Sequence, residues 1–86
     1  MPQYAVTFAR SARKELQSLP SAVATRILDK IDILSFEPRP PGTKKLSGTG
    51  SLWRLRVGEY RVIYEIDDKN SIIDVSVVRH RREAYR

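Results

Sequence analysis

The side chains whose spacing could do chemistry here are arginines. Arg54 and Arg56 alternate within Leu52-Trp53-Arg54-Leu55-Arg56-Val57, and Arg61 follows in Tyr60-Arg61-Val62-Ile63-Tyr64. Arg79-His80-Arg81-Arg82 then leads to Tyr85 near the end. If Gly58-Glu59 forms a two-residue hairpin turn, Val57 lies opposite Tyr60, Leu55 opposite Val62 and Trp53 opposite Tyr64. All six are apolar or aromatic, so this is the face to be covered. The same register sets Arg56 opposite Arg61 on the other face, with Arg54 beside Ile63. Like charges directly opposed weaken a sheet by roughly the 0.2–1 kcal/mol that a favourable pair contributes. A bound polyanion is the simplest account of such a pair.

A phosphodiester attacked by its own 2′-hydroxyl needs the nucleophile aligned, negative charge on the phosphoryl oxygens stabilised, and a proton moved at each end. Arginines on rigid strands supply planar, permanently charged contacts to phosphate oxygens, and an aromatic ring can stack on an unpaired base. Arg54, Arg56, Arg61, Arg79, Arg81, His80 and Tyr85 are therefore the candidate set, with Lys44 and Lys45 as weaker additions. Each has an ordinary alternative. A surface arginine is commonly just solvated, a lone histidine is more often structural than catalytic, and a terminal tyrosine can simply pack on a sheet edge. Convergence carries the case. Other chemistries lack their residues: there is no cysteine and only one histidine, so no metal-ligand set is expected. Gly48-Thr49-Gly50 precedes a strand and not a helix, a weak match to a phosphate-cradling loop.

These residues must be positioned by a small set of elements. Tyr4 to Phe8 alternates weakly and predicts a first strand. Ala12, Leu16 and Leu19 at helical spacing predict a short amphipathic helix. Pro20 suits the first turn of a second helix, with Ser18 or Ser21 available to cap it and Val23, Ile27, Ile31 and Leu34 as its apolar stripe. Three prolines within Pro38-Arg39-Pro40-Pro41 end that helix, and Thr43 to Ser51 reads as loop. Leu52–Val57, Tyr60–Ile66 and Ser71–Val78 predict three strands, the last two joined by the turn Asp67-Asp68-Lys69-Asn70. With that turn, Ile73 faces Tyr64, Val75 faces Val62 and Ser76 falls beside Arg61. The order β-α-α-β-β-β predicts an α+β domain over residues 1–86: an antiparallel sheet with an amino-terminal helical hairpin packed on one face.

The chain has 86 residues, enough for one modest core, and no apolar run long enough to span a membrane. Its start, Met-Pro-Gln-Tyr, lacks a secretion pattern, and a cytoplasmic setting is expected. The net charge of +6 is uneven: residues 1–37 hold five basic and four acidic side chains, residues 38–86 eleven and six. The basic half is the half expected to meet a partner, and nucleic acid, an acidic protein segment or an anionic surface would all answer to it.

Lys45-Leu46-Ser47-Gly48, the run Leu52 to Tyr64, Val78-Arg79-His80-Arg81 and Tyr85 together resemble the RelE branch of the RelE/ParE toxin superfamily, over nearly the whole chain. The resemblance implies the toxin of a type II toxin–antitoxin system, a metal-independent endoribonuclease that cuts ribosome-bound messenger RNA without a cofactor. A DNA gyrase poison of the same fold is the alternative, and an RNA-binding module without catalysis is a third reading. It implies that Arg61 contacts the scissile phosphate, that Arg81 stabilises it and is available to assist the leaving group, and that Tyr85 stacks on or orients a base. The implied partner is a smaller acidic antitoxin, in an assembly that a heterotetramer would satisfy. Arg54 and Arg56 match positions that are lysine in well-known nuclease members, one of them the assigned general base. Arginine, with a pKa above about 12, accepts a proton poorly. Arg56 is thus expected to act through charge, leaving deprotonation to His80, to Tyr85 or to the ribosome.

Overall fold

The hairpin at Gly58-Glu59 forms in the register expected from its apolar face. Gly58 has φ +58, a conformation suited to a glycine that opens a two-residue hairpin loop. The computed structural model describes residues 3–46 and 51–80. Its elements are β1 (Ala5–Phe8), α1 (Arg10–Ser18), α2 (Ser21–Leu34), β2 (Thr43–Lys45), β3 (Leu52–Val57), β4 (Tyr60–Asp67) and β5 (Ile72–His80). The α+β class and the helical hairpin on one sheet face agree with expectation, and the five strands lie in the order β1-β5-β4-β3-β2. β2 through β5 are antiparallel, whereas β1 joins β5 in parallel at the sheet edge. The two helices between β1 and the meander bring the chain over one face before it turns back.

Ala12 and Leu16 of α1, with Ile27, Ile31 and Leu34 of α2, bury against Leu55, Val57, Val62, Tyr64, Ile66, Ile73, Val75 and Val78. Replacing one of the fully buried branched residues, such as Ile27, by alanine removes contacts worth about 2–5 kcal/mol. Leu19 lies just past α1 as its C-cap. Pro20 is the N-cap of α2 and not part of its first turn: its carbonyl accepts from the Ala24 N–H at 3.0 Å. Neither Ser18 nor Ser21 caps that helix with its side chain, and the Ser18 hydroxyl instead donates to the Glu15 carbonyl at 2.7 Å.

Two departures bear on the site. Residues 43–45, expected as loop, form β2. Pro41 and Gly42, φ +96, make the corner of a turn closed by the Thr43 N–H donating to the Pro40 carbonyl at 3.2 Å, the type II pattern. The second departure is the β4–β5 register. Asp67 accepts from the Asn70 N–H and side-chain amide at 3.0 and 2.8 Å, which holds its carboxyl below the usual range, and Ser71 takes φ +55. The turn therefore closes on Asp67↔Ile72, so Val75 faces Tyr64 and Ile73 faces Ile66, each displaced by two residues from the expected pairing. A bulge between Ile63 and Tyr64 then absorbs Ser76, whose hydroxyl donates to the Ile63 carbonyl at 3.1 Å.

Tyr64 sits at the centre of the covered face, and its hydroxyl donates to the Pro38 carbonyl at 2.8 Å. Burial pushes its phenol up to about 12. A pKa raised by folding means that the neutral form is favoured in the native state, so this stabilisation is complete below the ordinary value of 10.0 and fades as pH rises toward 12. Tyr64→Phe is expected to lose about 1 kcal/mol near neutrality. In urea denaturation between pH 8 and 12 it should also show a shallower alkaline decline than the parent; equal slopes would assign that decline to another group.

Candidate nucleic-acid interface

Strand alternation sends the arginines to the face away from the helices. β3 and β4 pair Arg56 with Arg61, and β4 and β5 pair Arg61 with Arg79, so one row across the sheet reads Arg56–Arg61–Arg79. The next row reads Lys44–Arg54–Ile63–Val77. The bulge matters here. Continuing the register of Asp67↔Ile72 without it would bring Val78 opposite Arg61; with it, Val78 turns into the core and Arg79 takes the outer position. Ser76, expected beside Arg61, is replaced there by a third guanidinium.

Arg56, Arg79 and Lys44 are exposed and Arg54 is half-buried, with its Nε buried and without a hydrogen-bond partner. Arg61 departs from expectation: read as solvent-facing, it is only 5% exposed. A guanidinium remains charged when buried, and in a low-dielectric setting its attraction for a phosphate is stronger than at an open surface. A cleft of about 170 Å³ lined by Arg56, Gly58, Glu59, Tyr60 and Arg61 opens beside the hairpin turn. Glu59, accounted for in the sequence by turn formation alone, supplies the one carboxylate among the described residues of that lining. Nothing in its turn context distinguishes it; only the paired arginines on either side could have drawn attention to it.

His80 is not brought to this face. It pairs with Tyr60, which packs against the core, and the two rings meet edge to face at 5.2 Å between centroids. Lys45 likewise shares the side of its partner Trp53, while Lys44 shares that of Arg54. Arg81 and Tyr85 lie outside the described residues. At the far end of the sheet Arg39 donates to Asp68 at 2.8 Å, stacks over Trp53 at 5.2 Å, and shares Asp68 with the Tyr4 hydroxyl at 2.7 Å. Hydrogen bonds from Arg39 and Tyr4 hold the Asp68 carboxyl below its usual range. This network ties the proline segment to the sheet and stands apart from the arginine rows.

A family model described as the ParE toxin of type II toxin–antitoxin system, parDE, matches residues 6–85. The chain is similar to Toxin RelG of Mycobacterium tuberculosis, 34% identical, with 96% of this chain and 97% of that protein covered. Its fold is similar to that of the archaeal RelE–RelB complex from Pyrococcus horikoshii: TM-score 0.82, 40% identity, 92% of this chain and 96% of that chain covered. It is similar also to the RelBE2 toxin–antitoxin complex of Mycobacterium tuberculosis, with TM-score 0.80, 31% identity, and coverage of 94% and 100%.

Proposed function

The chain belongs to the ParE toxin family of type II toxin–antitoxin systems, and from that premise we propose that it arrests growth by cutting messenger RNA on the ribosome without a metal ion. The observation that carries this reading is the row Arg56–Arg61–Arg79 with its buried centre. Three like charges on adjacent rigid strands are an unfavourable sheet surface and a preorganised phosphate site. In the reaction, the ribose 2′-oxygen forms a bond to phosphorus as the bond to the 5′-oxygen of the next nucleotide breaks. Arg61 holds the scissile phosphate, Arg56 and Arg54 add charge, and Arg81 and Tyr85 complete the site as phosphate and base contacts. The family model carries the ParE name, and it is the relatives named RelE and RelG that favour a message-cutting toxin over a gyrase poison.

A cognate antitoxin is the regulatory partner, as in the RelE–RelB complexes of Pyrococcus horikoshii and Mycobacterium tuberculosis relatives. An acidic segment over Arg54, Arg56 and Arg61 would relieve the opposed charges, so toxin stability is expected to rise on binding. Ribosomes as the target place the action in the cytoplasm.

Inducing the chain in bacteria and mapping the 5′ ends of ribosome-bound messages tests substrate and reaction together. Ends clustered within translated codons support the proposal. Broken DNA with intact messages would make the chain a gyrase poison, and growth arrest with neither would leave a passive RNA binder.

A further inference from the structure

The outer sheet face carries both signs of charge, and the strand ladder keeps them apart. Beyond the two cationic rows, Leu52 pairs with Glu65, Glu65 with Asp74, and Asp74 with Thr7. Both carboxylates are held in place: Asp74 accepts from the Thr7 hydroxyl at 2.7 Å and Glu65 from the Ser51 hydroxyl at 3.0 Å. Among the described residues neither meets a basic side chain in an ion pair. Arg56–Arg61, Arg61–Arg79 and Glu65–Asp74 are thus all like-charge pairs across the ladder. Exchanging Arg61 and Glu65 would make every one of them complementary. A sheet selected for stability alone would favour that exchange, so the segregation is a field directed at a ligand.

We propose that Glu65 and Asp74 form an anionic boundary that sets the path of the RNA, making its phosphates cross the strands along the Arg56–Arg61–Arg79 row and not follow the strand direction. The inference rests on the RNA-binding reading of this face. Rows on one face recur about every 6.7 Å along a strand, so the carboxylates stand about 13 Å from the Arg61 row. With a screening length of about 8 Å at physiological salt, a phosphate over Arg61 is little disturbed by them. A phosphate displaced toward the intervening Ile63–Val77 row approaches within one such spacing and is repelled. Ile63 and Val77 offer no hydrogen bond to a phosphate but provide an apolar surface for a base. The boundary thereby limits how many phosphates the face engages.

The test is the affinity and salt dependence of a short single-stranded 2′-O-methyl oligoribonucleotide, which lacks the free nucleophile. Combining Glu65→Gln with Asp74→Asn keeps acceptors for Ser51 and Thr7 and removes two charges. This variant is expected to bind several-fold tighter, with the slope of log K against log salt steeper by about 0.7, the increment for one added phosphate contact on a single strand. The comparison is Asp29→Asn combined with Glu37→Gln, the same charge change away from the arginine face, for which affinity should move much less and the slope should be unchanged. If the two double variants behave alike, the boundary is overturned. Arg54→Gln combined with Arg56→Gln separates the two levels: if it weakens binding while the boundary variant matches the comparison, only the boundary fails. If it leaves binding unaltered, RNA does not use this face and both proposals fall.

Discussion

Arg61→Ala is expected to abolish growth arrest and to lower message cleavage by about 10²–10³, the loss that follows removal of one preorganised charge contact. The structure sharpens this expectation through stability. Arg61 is buried between Arg56 and Arg79, so its charge opposes two neighbours while its stem contributes packing. Alanine removes both, whereas Arg61→Gln removes the charge and keeps most of the stem. Both variants should be inactive, and the glutamine variant, which keeps most of the stem, should still fold as the parent does by circular dichroism. A side chain whose loss destroys activity without unfolding the protein is held for a ligand. Arg81→Ala is expected to share the loss of activity. Full toxicity in a folded Arg61→Gln protein would remove Arg61 from the site.

What the sequence made legible follows from the physics of each element. The β3–β4 hairpin could be read to the residue because period-two alternation on both strands and a glycine turn admit one register, and that register already opposed Arg56 to Arg61. The helix pair followed from its apolar stripes, with Ile27, Ile31 and Leu34 in the core. β2 was missed because three residues are too few for alternation to register, although Pro41-Gly42 marks the turn that launches it. The β4–β5 pairing was missed because it depends on an Asp67–Asn70 side-chain bond, a non-glycine at positive φ and a bulge, none of which has a hydrophobic signature. That error hid Arg79 from the row and placed Ser76 there. Arg61 gave no sign of burial, since arginine is ordinarily exposed.

Arg56→Lys is expected to retain or raise cleavage, whereas Arg56→Ala should lose it. Among the cations of Arg54, Arg61 and Arg79, a lysine would be pushed toward its neutral form and could accept the 2′-hydroxyl proton, which arginine cannot readily do. The structure also reorders the other candidates for that proton. His80 pairs with Tyr60 on the helix side, so His80→Ala should cost about 0.5–1.5 kcal/mol from the lost ring contact and leave cleavage nearly intact. Glu59 lines the same cleft as Arg56 and Arg61, and an ionised carboxylate there can accept a proton. Glu59→Gln should therefore slow cleavage by roughly 10²–10⁴ if it is the base in the present chain. Combining Glu59→Gln with Arg56→Lys should recover part of that rate, because the lysine then supplies the missing acceptor. Pre-steady-state cleavage on ribosomes programmed with a single message measures all five variants. A wild-type rate in Glu59→Gln together with an inactive Arg56→Lys would exclude both side chains as bases. Proton removal would then fall to the ribosome or to Tyr85, with the arginine row acting only on the charge of the phosphate.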